Sequence, residues 1–328
     1  MIVSRTPFRV SLFGGGTDFK FWIKKYGSNI ISFSIDKYCY LTVRKLPAFF
    51  NHRHRFVYSK TELVNNFNDI EHPSIKETLK YYNIKDGLEI IHYGDLPARS
   101  GLGSSSSFTV GLINSLNTLY SLKMTKKIIS ENAILIEQKK IKENVGFQDQ
   151  IAVSYGGFNQ IKFNKNCDFT VNKVFISKNK IDSFYNSSML VYSGVERDSN
   201  SIQKKVFNKK INEKLLKKLH DISIEANKYI KNNKFDIEAI GNLVNESWEY
   251  KKKLSPIISS THLENIIKIA TDIGIYGKKV IGAGGGGFVL LIFPKKNKIE
   301  LQKALKKYIT VPIKIDYLGT KILKSDFR

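Results

Sequence analysis

The chain has 328 residues and a formal net charge of +24, with 42% hydrophobic and 12% aromatic residues. This composition excludes a disordered chain, and the length suits two domains of ordinary size. The two cysteines, Cys39 and Cys167, lie far apart without metal-ligand spacing, so we predict neither a disulfide framework nor a zinc site. We expect a cytoplasmic protein without a signal peptide or a membrane partner, because the first residues form a strand pattern and no apolar run reaches transmembrane length.

The positive charge has two interpretations. Nucleic-acid binding is one, but the lysines are scattered over helical segments such as 204–218, and no zinc finger or RNA-binding aromatic platform is recognisable. We therefore favour a solvated lysine-rich surface and expect no nucleic-acid partner. Such a positive field would still steer small polyanions.

In chain order, the first half mixes strands and helices. Residues 1–45 predict a strand, a glycine turn, a short helix (18–26) and two further strands. A polar and aromatic excursion (47–72) follows. The remaining predicted elements of this half are a helix at 74–82, a strand at 88–93, helices from 104 and near 126–140, and a strand at 158–163.

The second half has a different character. A strand begins at 189, and helical segments fill 200–232, 235–253 and 260–273. A strand, glycine turn and strand near 279–293, a helix at 298–307 and a strand at 311–318 close the chain. We predict an α+β protein with two domains, 1–185 and 186–328.

The stretch LPARSGLGSSSS (Leu96–Ser107) joins a predicted strand to a predicted amphipathic helix. A flexible linker would not be followed at once by such a helix. Free backbone N–H groups at a helix N-terminus favour an anion, and glycine lets the backbone approach a phosphate. The alternative is a capped helix after a glycine turn. The stretch is not a Walker loop, because no lysine follows Gly103. It is a poor dinucleotide fingerprint, because Ser106 stands where the third glycine is required.

Three motifs occur in a fixed order: Thr6–Phe19 (TPFRVSLFGGGTDF), Pro97–Ser107 (PARSGLGSSSS) and Ile281–Phe288 (IGAGGGGF). Together they resemble the GHMP kinases, named for galactokinase, homoserine kinase, mevalonate kinase and phosphomevalonate kinase. The resemblance implies a two-domain α+β fold, with an N-terminal mixed α/β domain that binds ATP and a ferredoxin-like α+β C-terminal domain.

Shorter segments narrow the resemblance to the D-glycero-D-manno-heptose 7-phosphate kinases. They are Gly14–Asp18, Ile35–Tyr40, Leu46–Phe50, Gly146–Gln150 and Tyr155–Asn159. This subfamily makes the anomeric phosphate of a heptose bisphosphate, for nucleotide-activated heptose and surface polysaccharide or lipopolysaccharide synthesis. The alternatives are another sugar-1-kinase, such as a fucokinase-like enzyme, a basic nucleic-acid-binding protein and, least favoured, a dinucleotide oxidoreductase. The resemblance leaves a homodimer open.

The resemblance also implies the cofactor sites. The ATP phosphates would contact the glycine–serine loop, at Pro97, Ser100, Gly101, Leu102, Gly103, Ser104, Ser105 and Ser106. Mg²⁺ would be held by Ser105 and Glu137, a sparse set that suits an ion that keeps several waters. The alternative for Glu137 is a solvated helix acid paired with a lysine.

Asp149 and Arg9 match the catalytic positions. Asp149 would orient the acceptor hydroxyl and collect its proton, and Arg9 would steady the phosphate or the Asp149 carboxylate. The alternatives are a turn-capping aspartate and a strand arginine that reaches solvent.

The sugar would lie on Gly15, Gly16, Thr17 and Asp18, where Asp18 has the alternative role of capping the next helix. A 7-phosphate requires cations, and our candidates are Lys37, Arg53, Arg55 and Arg197. Gly285 would let the third motif approach the substrate without obstruction by a side chain.

Overall fold

The computed structural model describes residues 1–196, 202, 212–231 and 235–325. Within these residues the strands are β1 (Ile2–Phe13), β2 (Ser28–Lys45), β3 (His54–Val57), β4 (Thr61–Val64), β5 (Leu88–Gly94), β6 (Phe158–Phe163), β7 (Phe169–Lys173), β8 (Ser188–Tyr192), β9 (Gly277–Val280), β10 (Phe288–Ile292), β11 (Thr310–Pro312) and β12 (Lys321–Ser325).

The helices of the same residues are α1 (Lys20–Tyr26), α2 (Pro73–Tyr81), α3 (Ser104–Leu119), α4 (Lys126–Leu135), α5 (Gln148–Tyr155), α6 (Lys178–Asn186), α7 (Glu213–Lys231), α8 (Ile237–Lys252), α9 (Thr261–Ile273) and α10 (Lys298–Ala304). A π-helical turn, Ile136–Lys140, extends α4, and short 3₁₀ turns lie at Phe67–Asp69, Pro256–Ile258 and Lys295–Asn297. None of the helices described is long and apolar enough to cross a membrane.

The larger sheet has the strand order β12-β1-β2-β5-β3-β4, and β6 and β7 extend it from β2. The long strand β2 makes this branching possible, because its first half pairs with β6 and its second half pairs with β5. Helix α3 lies against β1 and β2, where Gly111 allows close approach: a Cβ there would lie 2.9 Å from Oγ1 of Thr6. The segment predicted as an excursion contains the β3–β4 hairpin, in which His54 and Phe56 alternate inward.

The smaller sheet has the order β11-β8-β10-β9, and its described pairs are antiparallel. Helices α7 to α9 connect β8 to β9, and α10 connects β10 to β11. This order and connectivity are ferredoxin-like. Its core includes the fully buried side chains of Trp248, Leu291 and Phe293. The predicted α+β fold class is confirmed.

The end of the chain departs from the predicted division at 185. The second sheet begins at Ser188, but β12 pairs with β1 in the first sheet. Residues 321–325 therefore belong structurally to the first domain, and the second domain is inserted before them. The predicted strand at 311–318 is also shorter, because pairing with β8 ends at Pro312.

One lysine of the second domain reaches the backbone of the first. Leu12 lies at an irregularity in the β1–β2 pairing, between Ser11 and Phe13. Its carbonyl accepts a hydrogen bond of 2.7 Å from Nζ of Lys279 on β9. Lys279 is only 2% exposed. Burial and, second, the Arg9 guanidinium lower the pKa of Lys279 from 10.5 to about 7.

Gly319 provides a test of the turn that returns the chain to the first sheet. Its φ is +69°, and a Cβ there would lie 2.3 Å from the carbonyl oxygen of Ser154 on α5. We expect Gly319→Ala to lower the free energy of unfolding, measured in urea, by about 3 kcal/mol, from left-handed strain plus overpacking. The matched control is Gly194→Ala, with φ of +77° and open space around the site. It should cost about 1 kcal/mol, and equal losses would contradict the packing argument.

The lowered pKa of Lys279 predicts that the free energy of unfolding depends on pH. Between pH 7 and 10.5 the folded protein holds Lys279 neutral, while the unfolded chain protonates it. The unfolded state then binds more protons, so stability rises with pH in this window. Wild type should therefore gain stability relative to Lys279→Met between pH 6.5 and pH 9.5, measured by urea unfolding. Lys278→Met on the same strand is the control for loss of charge. A difference between wild type and Lys279→Met that stays constant with pH would refute the assignment.

Candidate active site

Arg9 and Asp149 form a two-point ion pair. Arg9 lies on β1 and Asp149 is the second residue of α5. The Arg9 Nε donates to Asp149 Oδ1 at 2.7 Å, and Nη2 donates to Oδ2. Because Arg9 is 4% exposed, its charge requires partners inside the protein. The alternatives of a solvent-reaching arginine and a turn-capping aspartate are both wrong.

The same guanidinium holds the glycine–serine loop. Its Nη1 donates to the Gly101 carbonyl at 2.7 Å, and the Arg9 backbone N–H donates to the Leu102 carbonyl at 2.9 Å. A Cβ on Gly103 would lie 3.2 Å from Cγ of Arg9, so glycine permits this contact. One side chain therefore joins the predicted catalytic carboxylate to the predicted phosphate loop.

The helix after this loop begins without a side-chain cap. The N-cap residue of α3 is Gly103, in the left-handed conformation, and it supplies no capping side chain. The run Ser104–Ser107 instead occupies the first turn, so the helix follows a glycine turn but no serine caps it, and phosphate binding stays a prediction. The first-turn amides and the dipole of a 16-residue helix remain available to an anion. Ser104 Oγ accepts a hydrogen bond from the Arg99 amide and closes the loop, which begins at Pro97.

The glycine run of the second domain lies directly on this loop. The Phe288 amide donates to the Ser100 carbonyl at 3.3 Å, and a Cβ on Gly287 would lie 2.1 Å from that oxygen. Gly285 has φ of +79° and packs against Ile202 and the Ile257 carbonyl. The second and third motifs are thus in contact, whereas a role of Gly285 towards substrate stays a prediction.

Glu137 is fully buried on the π-helical turn, a distortion that is frequent at functional sites. Its Oε2 accepts hydrogen bonds from Ser106 Oγ at 3.0 Å and Gln150 Nε2 at 2.5 Å. Its Oε1 is buried without a hydrogen bond of good geometry among the described residues, and the nearby Thr109 hydroxyl acts, like Ser106 and Gln150, to lower the pKa of the carboxyl. Burial and, second, Glu143 raise the pKa of Glu137 to about 8. The alternative of a solvated acid paired with a lysine is wrong.

The predicted metal pair is only half assembled. Ser105 is exposed in the first turn of α3, and the serine that reaches Glu137 is Ser106. Ser105 and Ser106 are adjacent on α3, so their side chains point in directions about 100° apart around the helix axis.

Asp18 is buried at the end of the first motif. Its Oδ1 accepts from the Gly16 amide at 3.0 Å, and its Oδ2 accepts from the Gln148 amide at 3.2 Å. It does not cap the next helix, because Phe19 is the N-cap residue of α1. Burial and, second, Asp149 raise the pKa of Asp18. Gly146 is required here, since a Cβ would lie 1.8 Å from Asp18 Oδ2.

The rest of that loop is held by Thr17. Its hydroxyl donates to the Gly14 carbonyl and lies 2.8 Å from the hydroxyl of Ser28. Through the bond from the Gln148 amide to Asp18, the predicted sugar loop contacts the start of α5, which carries Asp149. Contact of this loop with a sugar stays a prediction.

The predicted cations are dispersed. Arg55 pairs with Glu89, and Arg53 donates to the Lys85 carbonyl. Through Glu89 on β5 and Arg44 on β2, Arg55 aligns one residue before Ile2, so Arg9 lies about 26 Å further along β1 at 3.3 Å per residue. This separation removes Arg53 and Arg55 from the predicted sugar-phosphate site.

For Lys37 and Arg197, the two other predicted cations, contact with a sugar phosphate stays a prediction. Lys37 is half-buried and donates to the carbonyl and carboxylate of Asp36. It lies near Phe8 in the register, one residue from Arg9. Arg197 lies outside the described residues.

Ser11, Gln148 and Gln150 also belong to this cluster and were not predicted. Ser11 donates to Gln148 Oε1 at 3.0 Å, and Gln150 binds Glu137. Two sequence signals were available for them. Ser11 follows Arg9 by two residues on a strand, and the glutamines flank Asp149 at the start of a helix.

Comparison with known proteins gives two family matches. The family described as GHMP kinases N terminal domain matches residues 64–157, and that described as GHMP kinases C terminal matches residues 226–310. Together these two matches cover more than half of the chain.

Individual relatives agree with these matches. The chain is 33% identical over 318 residues to D-glycero-alpha-D-manno-heptose 7-phosphate kinase of Campylobacter jejuni, with 93% of each chain covered. It is 26% identical to galactokinase of Pyrococcus furiosus, with 94% of each covered. Its fold matches that of a D-glycero-D-manno-heptose 1-phosphate kinase from Bacteroides thetaiotaomicron with a TM-score of 0.80, at 24% identity and 99% coverage of each chain. Both family models match, and the Campylobacter jejuni relative is 33% identical with 93% of each chain covered. The chain therefore belongs to the GHMP kinases.

Proposed function

We propose that this ATP-dependent phosphotransferase phosphorylates the anomeric hydroxyl of D-glycero-D-manno-heptose 7-phosphate and yields the 1,7-bisphosphate. The observation that carries the proposal is the Arg9 guanidinium, which binds both oxygens of Asp149 and the Gly101 carbonyl. The choice of acceptor is supported by the relative from Campylobacter jejuni. The product would feed nucleotide-activated heptose and surface polysaccharide or lipopolysaccharide synthesis in the cytoplasm.

The chemistry needs little from the protein beyond positioning and charge. The anomeric oxygen attacks the γ-phosphorus, the bond from that phosphorus to the bridging oxygen breaks, and ADP leaves. The transition state is loose, so the proton of the hydroxyl is transferred late and passes to the Asp149 carboxylate. The two charge-assisted bonds from Arg9 hold that carboxylate in one orientation. The amides of the loop and of the first turn of α3 receive the phosphates.

The residues present fit a magnesium ion. The buried Oε1 of Glu137 has no hydrogen bond of good geometry in the described parts of the chain, and a carboxylate oxygen is a ligand that Mg²⁺ prefers. Glu137 would hold the ion, together with a serine hydroxyl from the first turn of α3, either Ser105 or Ser106. When bound, Mg²⁺ would neutralise the negative charge that develops on the phosphate oxygens.

A kinase for an unphosphorylated sugar is the second candidate. The distance of Arg53 and Arg55 from Asp149 favours it, because it leaves fewer cations for a 7-phosphate. ADP release with Mg-ATP and a panel of heptose 7-phosphate, heptose 1-phosphate, mannose, fucose and galactose separates the candidates. Turnover confined to heptose 7-phosphate supports the proposal, and turnover with a free sugar or with heptose 1-phosphate would overturn its acceptor.

Asp149→Asn should lower kcat about 10²- to 10⁴-fold, because the amide neither collects the proton nor pairs with the guanidinium in the same way. The KM for ATP should stay within about twofold, since Asp149 is proposed to contact the acceptor side. Steady-state ADP release measures both constants. Asp168→Asn, in the exposed turn between β6 and β7, is the matched control. Retention of more than a tenth of kcat by Asp149→Asn would rule out its proposed role.

Glu137→Gln should abolish the rise in melting temperature that Mg²⁺ adds to a complex with a non-hydrolysable ATP analogue. The reason is the loss of the charged ligand, and the readout does not depend on turnover. Glu131→Gln, an exposed acid on the same helix paired with Lys127, should retain the Mg²⁺-dependent rise. If both variants keep it, the metal is held elsewhere.

A further inference from the structure

One buried amide in the cluster has no assigned role. Gln148 is 2% exposed, and its Nε2 has no hydrogen-bond partner among the residues described. Its Oε1 accepts the hydroxyl hydrogen of Ser11 at 3.0 Å. A buried donor without an acceptor costs about 1–3 kcal/mol, so such a group in a folded protein calls for a ligand or an ordered water.

The position of this amide indicates which ligand it serves. The Gln148 backbone N–H donates to Asp18, and the next residue is Asp149. A Cβ on Gly15 would lie 2.9 Å from Ser11 Oγ and 4.0 Å from Gln148 Oε1. The Ser11–Gln148 pair therefore lies against the loop proposed for the acceptor and beside the carboxylate proposed to take its proton.

Gly15 is explained by the same contact. Any larger residue would press on the hydroxyl of Ser11 and disturb the bond that fixes the amide of Gln148. Gly15 has no side chain, so the polar side chains next to it are Ser11 from β1 and Gln148 from α5. Gln150 Oε1 is also buried without a hydrogen-bond partner in the described parts of the chain, but its Nε2 donates to Glu137, the proposed Mg²⁺ ligand.

We propose that Gln148 Nε2 donates a hydrogen bond to one hydroxyl oxygen of the acceptor sugar and so selects acceptors that carry that hydroxyl. Ser11 is a positioning residue, because it holds the amide oxygen and directs the NH₂ group towards the acceptor. A site built to bind a hydroxyl discriminates strongly against an analogue that lacks it, since the buried group is then left unpaired. This inference rests on the proposed function only in that the acceptor is a sugar.

The test is a cycle that combines an enzyme variant with substrate analogues. Gln148→Met should lower kcat/KM for the acceptor about 10- to 100-fold, mainly through KM, with the KM for ATP within about twofold. Monodeoxy analogues of the acceptor are then compared in both enzymes. Wild type should lose a similar factor with one analogue, and Gln148→Met should lose nothing further with that analogue. A merely structural role would lower activity equally with every analogue.

Controls keep the outcomes distinct. Gln160→Met removes another buried glutamine, bonded to Asn29 on β2, and should lower stability without changing the acceptor KM. If Gln148→Met does not fold, Ser11→Ala replaces it, and its discrimination against the same analogue should shrink. If wild type uses another sugar, the proposed function fails, and the cycle is run on that sugar. Equal losses with all analogues in both enzymes would overturn the role of Gln148.

Discussion

The buried guanidinium of Arg9 is the constraint on which the site depends. A charge enclosed in this way requires acceptors inside the protein, and here they come from two elements outside the strand that carries the arginine. The strand β1 supplies the arginine, α5 supplies the Asp149 carboxylate, and the loop before α3 supplies the Gly101 carbonyl. Their relative positions are fixed by the need to compensate one charge, and the same arrangement prepares the loop for a phosphate.

The second domain also contacts the segments next to Arg9. Its glycine run lies on Ser100, and Lys279 donates to the carbonyl that the irregular pairing at Leu12 makes available. Ser100 lies next to Gly101, whose carbonyl accepts from Arg9, and Leu12 lies on β1 between Arg9 and the glycine loop of the first motif. The three short motifs, widely separated in sequence, thus meet around one arginine: Arg9 of the first motif bonds the Gly101 carbonyl of the second, and the third motif lies on Ser100.

Sequence patterns predicted the parts of the site that depend on local rules. A glycine loop before a helix, a carboxylate at the start of another helix and an arginine on the first strand are each visible in a few residues. The Ser106–Glu137 contact was not predictable, because a π-helical turn changes the phase of Glu137 and helical phase decides which serine faces it. Arg53 and Arg55 were misplaced because strand order, not proximity to aromatic residues in sequence, decides where a cluster lies. The return of β12 to the first sheet has no local signal at all.

That return has a consequence for synthesis of the chain. The edge of β1 that β12 covers stays open until residues 321–325 have left the ribosome, long after the remaining strands of the first sheet have been made. An open edge of this kind pairs readily with other chains, which makes the nascent protein prone to aggregation throughout synthesis of the inserted domain. The ion pair on the same strand joins β1 to elements made much earlier, so the active centre can assemble while its sheet is still incomplete.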